Sequence, residues 1–205
     1  MSNHTYAEGH ASLAELKAGQ ERWLAGQARH AHQDAARRAE LATIQKPFAA
    51  ILSCIDSRAT PEIVFDQGLG DLFVIRSAGA IADRVVHASL EFGIHVLQAP
   101  LLVVMGHTDC GTTNAAIAHA DGADPLPGHL TVFTDAVTPF VVPDTGDPKK
   151  RAWDTLTAHV KSIVEDLRGL EPLVKARVDA GQLLVVGAIY ELATGQVHWL
   201  DESAA

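Results

Sequence analysis

Three short, unbroken apolar runs stand out from a chain that otherwise mixes polar and apolar residues: Phe48-Ala-Ala-Ile-Leu52, Leu101-Leu-Val-Val-Met105 and Leu183-Leu-Val-Val-Gly187. Runs this short that do not alternate suit strands buried on both faces. Asp71-Leu-Phe-Val-Ile-Arg76 reads as a further strand, and Gln196 to Leu200 as a fifth at the sheet edge. Between them, Arg84–Leu97 and Thr112–His119 carry helical spacing. The alternation predicts an α/β fold: a mainly parallel central β-sheet flanked by helices, with a short antiparallel edge strand. Ahead of it, Ser12 to Gly26 places Leu13, Leu16, Trp23 and Leu24 among charged neighbours, with Ser12 and Glu15 spaced as a capping box. A second, alanine-rich helix is predicted over Ala28–Ile44, and Pro47 breaks it. Neither helix has the apolar surface to stand alone, so this N-terminal helical arm must lie on another surface. Residues 1–46 are read as the arm and 47–205 as the core, within one domain. Asp121–Pro148 holds five of the nine prolines and reads as loops and short turns.

The candidate chemistry sits at the ends of two of the apolar runs. The chain has only two cysteines, in Cys54-Ile-Asp56-Ser-Arg58 and in His107-Thr-Asp109-Cys110-Gly111. Two thiolates and an imidazole form a donor set suited to zinc. In an open parallel sheet, ligands collect outside the carboxyl ends of strands where the strand order reverses, so both segments converge if the first and third strands are neighbours. Three soft donors with a nearby carboxylate suggest a catalytic site rather than a closed structural one. Asp56 is close enough to Cys54 either to ligate the same ion or to turn away into a charge-assisted pair with Arg58. A solvent-exposed ion pair is an equal alternative for these two residues.

Bulk properties narrow the function classes. The formal charge of −9 argues against a nucleic-acid surface and against anionic membranes. No apolar stretch approaches the roughly 20 residues that span a bilayer, and Met1–Glu8 lacks the basic start and apolar core of an export leader. Two cysteines without an export signal fit a reducing compartment, so a cytoplasmic location is expected.

The motifs together resemble those of the β-class carbonic anhydrases. Cys54-Ile-Asp-Ser-Arg58, Asp66-Gln-Gly-Leu-Gly-Asp71-Leu-Phe-Val-Ile-Arg76, Ser89-Leu-Glu-Phe92, Gly106-His-Thr-Asp-Cys-Gly111 and Gly187-Ala-Ile-Tyr-Glu-Leu-Ala-Thr-Gly195 follow that family's order, and Leu16–Gly26 adds to the likeness. The resemblance spans about residues 12 to 200. It implies one zinc ion per chain on Cys54, His107 and Cys110, with Asp56 as an additional ligand when it leaves Arg58, and a catalytic pair of Asp56 and Arg58. It further implies an apolar carbon dioxide pocket matched by Phe73, Ala78 and Phe92, and substrate contacts from the Gly111 amide and from Gln45 of a partner subunit. The implied activity is that of a zinc lyase: reversible hydration of carbon dioxide to bicarbonate and a proton by zinc-bound hydroxide, in a homodimer or a tetramer of paired dimers. Two thiolate ligands donate more charge than imidazoles, so better activity is expected on the alkaline side.

Three positions depart from the family pattern: Ser77-Ala-Gly-Ala80 replaces an Asn-Ala-Gly-Asn-like run, Thr112 replaces a small residue, and Thr60 replaces an apolar residue or proline. They leave the ligands and the pair intact but bear on the pocket. A carbonyl sulfide or carbon disulfide hydrolase is therefore the nearest alternative, and a noncatalytic zinc- or anion-binding sensor a more distant one. A thiol redox protein is the weakest, since no C-x-x-C pair exists. Of the eleven histidines only His107 is read as functional; His87, His95, His119, His129, His159 and His198 are read as surface or helix-packing residues.

Overall fold

The computed structural model describes residues 6–144 and 146–200; most of the segment read for a leader, residues 1–5, lies outside them. Five strands form one sheet in the order β2-β1-β3-β4-β5. They are β1 (Ala49–Cys54), β2 (Leu72–Ser77), β3 (Leu101–His107), β4 (Leu184–Tyr190) and β5 (Val197–Leu200). The first four are parallel, and β5 runs antiparallel to β4 at one edge. The chain builds β2 on one side of β1 and then crosses to build β3 on the other, so the order reverses between β1 and β3. This is the mainly parallel sheet that the apolar runs predict.

Burial explains why those runs do not alternate. Every residue of β1, β3 and β4 is buried. Ala50, Leu52, Leu102, Val104, Val185 and Ile189 face one core; Ala49, Ile51, Val103, Met105, Val186 and Ala188 face the other. Helices α4 (Arg84–Glu91), α7 (Pro148–Arg168) and α8 (Leu173–Asp179) cover the first face. Helices α1 (Tyr6–Leu24) and α3 (Pro61–Val64) cover the second. The remaining helices are α2 (Ala35–Glu40), α5 (Gly111–Ala120) and α6 (Thr131–Val137). By contrast β2 is only half-buried along its whole length and pairs with β1 alone among the described residues.

The arm differs from its expectation in both helices. Helix α1 begins by Tyr6, so Ser12 lies buried in its interior rather than capping it, and Glu15 pairs with Arg22. Its apolar face rests on the chain's own sheet: Leu13 and Leu16 pack into the second core with Ile51, Val103 and Val186. Complete burial of Leu16 contributes about 1.5–3 kcal/mol. The approach is close because Gly19 has no side chain; a Cβ there would lie 1.9 Å from the Phe65 carbonyl oxygen. Instead of a helix over Ala28–Ile44, only Ala35–Glu40 is helical, and no residue of that turn is buried. His30 and His32 take left-handed backbone angles of 50° and 58°, and the Asp34 carboxylate caps the Arg37 amide.

The sequence pattern named no element between Pro148 and Leu183, where the structure places α7 and α8. Asp147 caps α7 through the Lys149 and Lys150 amides, Pro148 opens its first turn, and Leu156, Val160, Ile163, Val164 and Leu167 face the sheet. The helix predicted over Arg84–Leu97 is present as α4, extended by one wider helical turn over Phe92–Val96. Within the proline-rich Asp121–Pro148 stretch the seven-residue α6 is flanked by single helical turns.

Candidate metal centre

Neighbouring strands deliver the donors. Cys54 is the last residue of β1 and His107 the last of β3, and these strands pair directly. Cys110 follows on the turn into α5, made tight by Asp109, which holds a left-handed φ of 54°. Aspartate tolerates that region better than most residues. The Cys54 and Cys110 sulfurs and a His107 ring nitrogen all lie within 4.8 Å of one another, and all three residues are buried. Donors so spaced can share one ion at the roughly 2.0–2.3 Å bond lengths of zinc.

The histidine tests whether the set fits a metal. Its Nδ1 lies 2.8 Å from the Thr108 carbonyl oxygen, which can only accept, so Nδ1 carries the proton. Nε2 is then a lone pair, and it is buried without any hydrogen-bond partner. An unpartnered buried acceptor costs about 1–3 kcal/mol, whereas the same lone pair, grouped with the two sulfurs, suits a metal ligand whose outer nitrogen is already oriented. The residues fit a thiophilic divalent ion.

The thiols are unequal. Cys54 is pushed up to about 12 by sharing its proton with Cys110 and by burial. Cys110 is lowered to about 6, first by the hydrogen bond from Cys54 and then, against burial, by the Thr113 and Thr112 amides opening α5. Burial pulls His107 down, but the Cys54 contact and the Thr108 carbonyl outweigh it and leave a net upward shift. One thiolate thus stands ready, and the second proton is the one a metal must displace.

Asp56 turns toward Arg58. Its Oδ1 accepts from Arg58 Nε at 2.9 Å and from the Arg58 amide at 2.9 Å, and its Oδ2 accepts from Nη2 at 2.7 Å. This fork holds the carboxyl well below its ordinary range despite partial burial. Arg58 is 57% exposed, so the pair adds little to stability; its effect is to hold the carboxylate in one orientation. In that orientation Oδ2 lies 3.9 Å from His107 Nε2, at the edge of the donor set.

Arg76, not singled out in the sequence, holds this loop in place. Its Nε donates to the Cys54 carbonyl at 2.8 Å and its Nη2 to the Asp56 carbonyl. An arginine closing an apolar strand was the available signal. Asp66 and Asp71, from the same motif, tether the arm: Asp66 accepts from Arg22 at 2.7 Å and from the Arg29 and His30 amides, and Asp71 binds His32 Nδ1 and the Gly68 amide. His159 is a second surprise. It is 3% exposed, its Nε2 donates to the Gly79 carbonyl at 3.0 Å, and its Nδ1 is buried without a partner. The unpaired nitrogen costs about 1–3 kcal/mol, as much as or more than the 0.5–1.5 kcal/mol that a typical hydrogen bond returns. As a packing residue, then, His159 gains nothing over a leucine.

The predicted substrate residues divide into two groups. Buried Ala78, on the turn after β2, and Gly111, opening α5, stand at the ligand end of the sheet. Phe73 and Phe92 meet each other, with ring centroids 6.4 Å apart. However, Phe73 pairs with Ala50, four residues before the Cys54–Ser77 pair, or about 13 Å down the strand at ~3.3 Å per residue. Gln45 is exposed and lines a shallow groove with Leu41, Ile44, Leu69 and Gly70, ahead of the opposite end of β1. A cavity of about 250 Å³ does adjoin His107 and Cys110, but Asn114, Lys149, Trp153 and Glu191 line it, not the two phenylalanines.

Comparison with known proteins identifies the family. Residues 49–197 match the carbonic anhydrase family model. The chain is 39% identical over 191 residues to carbonic anhydrase 2 of Mycobacterium tuberculosis, covering 93% of this chain and 92% of that protein. It is 37% identical over 188 residues to the carbonic anhydrase of Mycolicibacterium smegmatis, covering 92% and 91%. Among solved structures, a Coccomyxa β-carbonic anhydrase in complex with acetazolamide superposes with a TM-score of 0.68 at 27% identity, covering 79% of this chain and 75% of that one. The tetrameric β-carbonic anhydrases of Sordaria macrospora share the fold, with a TM-score of 0.72 at 23% identity over 93% and 95% of the chains. With its family model matched over most of its length, its sheet topology shared and its Cys-His-Cys donors converging at the strand switch point, the chain belongs to the β-class carbonic anhydrases.

Proposed function

We propose that this enzyme catalyses the reversible hydration of carbon dioxide to bicarbonate and a proton, with one zinc ion held by Cys54, His107 and Cys110. The observation that carries the proposal is the Asp56–Arg58 fork set 3.9 Å from the donor set. When bound, zinc lowers the pKa of a coordinated water toward ~7 and so supplies a nucleophile near neutral pH. The chain's own residues do the rest. Asp56 Oδ2, accepting a hydrogen bond, fixes the direction of the nucleophile's lone pair. Arg58 holds the carboxylate turned away from the donors; released from Arg58, Asp56 could join Cys54, His107 and Cys110 in holding the ion. The Gly111 amide, at the N-terminus of α5, stabilises charge developing on the substrate oxygen, and buried Ala78 supplies an apolar wall.

The homodimer is the smallest functional unit in this reading, with a tetramer formed by pairing dimers. Helix α1 offers it no apolar face, because Leu13 and Leu16 are covered by the chain's own sheet. The support comes from the β2 edge: among the described residues the strand is unpaired on its outer side, and Val85, Phe92 and Val96 expose apolar side chains at helical spacing beside it. Gln45, Phe73 and Phe92 lie too far from their own Cys54 to line its pocket, and across such an interface they line the partner's. The arm (1–46) and core (47–205) act as one unit within each subunit, and two free thiols reserved as ligands suit the cytoplasm.

Stopped-flow hydration by the zinc-loaded protein tests the function. Carbon dioxide should be turned over at a rate that falls about 100-fold in Asp56→Asn. Carbonyl sulfide and carbon disulfide run in parallel: preference for either replaces the substrate, and inactivity on all three leaves a zinc-binding sensor.

A further inference from the structure

Among the described residues, His159 is a buried histidine with one nitrogen committed to a backbone carbonyl and the other left without a partner. It projects from α7, and Phe140 lies against its ring at a centroid distance of 5.5 Å. Its partner, Gly79, sits on the turn after β2 with a left-handed φ of 65°. That turn sends the two peptide units that meet at Gly79 to different partners, the Gly79–Ala80 unit through its carbonyl and the Ala78–Gly79 unit through its N–H. The carbonyl accepts from His159 Nε2 at 3.0 Å, and the amide donates to Cys54 Sγ at 3.4 Å. Thr112, in the first turn of α5, closes the remaining side, since a Cβ on Gly79 would lie 2.9 Å from its Cγ2. A carbonyl can only accept, so the ring must carry its proton on Nε2, and burial keeps it neutral by pulling its pKa down.

We propose that His159 is a positioning residue for the metal centre: by holding the Gly79 carbonyl it pins the Gly79–Ala80 peptide, limits the backbone angles open to this permissive glycine, and so keeps the Gly79 N–H on Cys54 Sγ, which sets how much charge that thiolate presents to the ion. An N–H donor on a thiolate draws negative charge toward itself, making the sulfur a weaker electron donor and harder to protonate off the metal. Outer hydrogen bonds of this kind change metal affinity or activity by about 10–100-fold in metalloproteins generally. The physical account also explains why a histidine stands here: leucine would fill the space without an orphaned nitrogen, but it would leave the Gly79 carbonyl without its donor and the glycine's backbone angles held from one side fewer.

The proposal rests on Cys54, His107 and Cys110 being the ligands, and the experiment separates the two claims. Wild-type protein labelled with ¹⁵N and loaded with ¹¹³Cd should show a through-hydrogen-bond coupling between the Gly79 amide proton and the metal, and His159 ring shifts of the Nε2–H tautomer. Failure to load one cadmium per chain overturns the ligand assignment. Full loading without the Gly79 coupling, or with an Nδ1–H His159, overturns this proposal alone. In variants, His159→Leu should lose the coupling, move the sulfur-to-cobalt charge-transfer band of cobalt-loaded protein to lower energy, and release zinc to a chelator about 10-fold faster. His159→Gln, which can restore an N–H donor, should recover part of each. A folded His159→Leu variant with the wild-type band and zinc release within twofold of wild type would refute the role. If His159→Leu does not fold, the wild-type couplings decide.

Discussion

Gly79→Ala probes the geometry around the metal centre most directly. The glycine holds φ at 65°, where an L residue costs about 1–2 kcal/mol. The new methyl group would also lie 2.9 Å from Thr112 Cγ2 and 3.1 Å from its Cβ. Thr112 is buried in the first turn of α5, so relief requires moving that helix end or the turn, and such overpacking adds about 1–3 kcal/mol. The combined loss, about 2–5 kcal/mol, is a large share of an ordinary stability of about 5–15 kcal/mol. At about 2–4 °C per kcal/mol for a chain of this size, Tm should fall by on the order of 10 °C. Thr112→Ala removes the nearer of the two contacts and leaves the backbone angle as it is. The double variant should therefore recover about 1–2 kcal/mol relative to the sum of the single losses. Thermal unfolding at fixed protein and zinc concentrations measures all four corners of the cycle. A single-variant loss below about 1 kcal/mol, or a strictly additive cycle, would show that the Gly79 turn does not pack against Thr112 as described.

Metal analysis of Cys110→Ser should find zinc lost or much weakened; full retention with the wild-type coordination spectrum removes Cys110 from the ligand set. Leu16→Ala should cost about 2–5 kcal/mol in urea unfolding, because α1 belongs to the chain's own core; a loss under 1 kcal/mol would place the helix outside that core. Burial raises the Asp66 carboxyl, but Arg22 and the Arg29 and His30 amides outweigh it and hold its pKa below the ordinary value. Its stabilising effect is therefore fully present above about pH 4 and fades as the pH falls through the depressed value. Asp66 holds a left-handed φ of 49° that asparagine also tolerates, so the stability gap between Asp66→Asn and wild type should be flat near neutrality and narrow below about pH 4; a gap that persists unchanged in acid contradicts this account. Sedimentation should find a dimer, and Phe92→Glu should shift it toward monomer with loss of hydration activity. An active monomer at assay concentration would contradict the shared pocket.

The apolar runs alone determined most of the sheet. β1, β3 and β4 are buried on both faces, and a strand so placed has no reason to alternate, so its signature is visible without any partner. The donors were legible for a related reason: only two cysteines exist, and each follows such a run, where an α/β sheet collects ligands. The limits of the reading are equally physical. Ser12 and Glu15 have capping-box spacing, but the same residues serve inside a longer helix, and only the packing of Leu13 and Leu16 on Ile51 and Val103 shows which applies. A pair between Asp56 and Arg58 belonged equally to a functional reading and to that of an exposed ion pair, and the tertiary structure adds only its orientation, with Oδ2 3.9 Å from His107 Nε2. Whether Cys54 and His107 meet at all depended on β1 lying beside β3, a matter of strand order that no local pattern encodes. Likewise Phe73, Ala78 and Phe92 matched one pocket by motif, yet strand register carries Phe73 about 13 Å from its own Cys54. The Arg76 clamp and the His159–Gly79–Cys54 chain were illegible because they join residues far apart in sequence through backbone carbonyls and amides, which every residue possesses and no side-chain pattern announces.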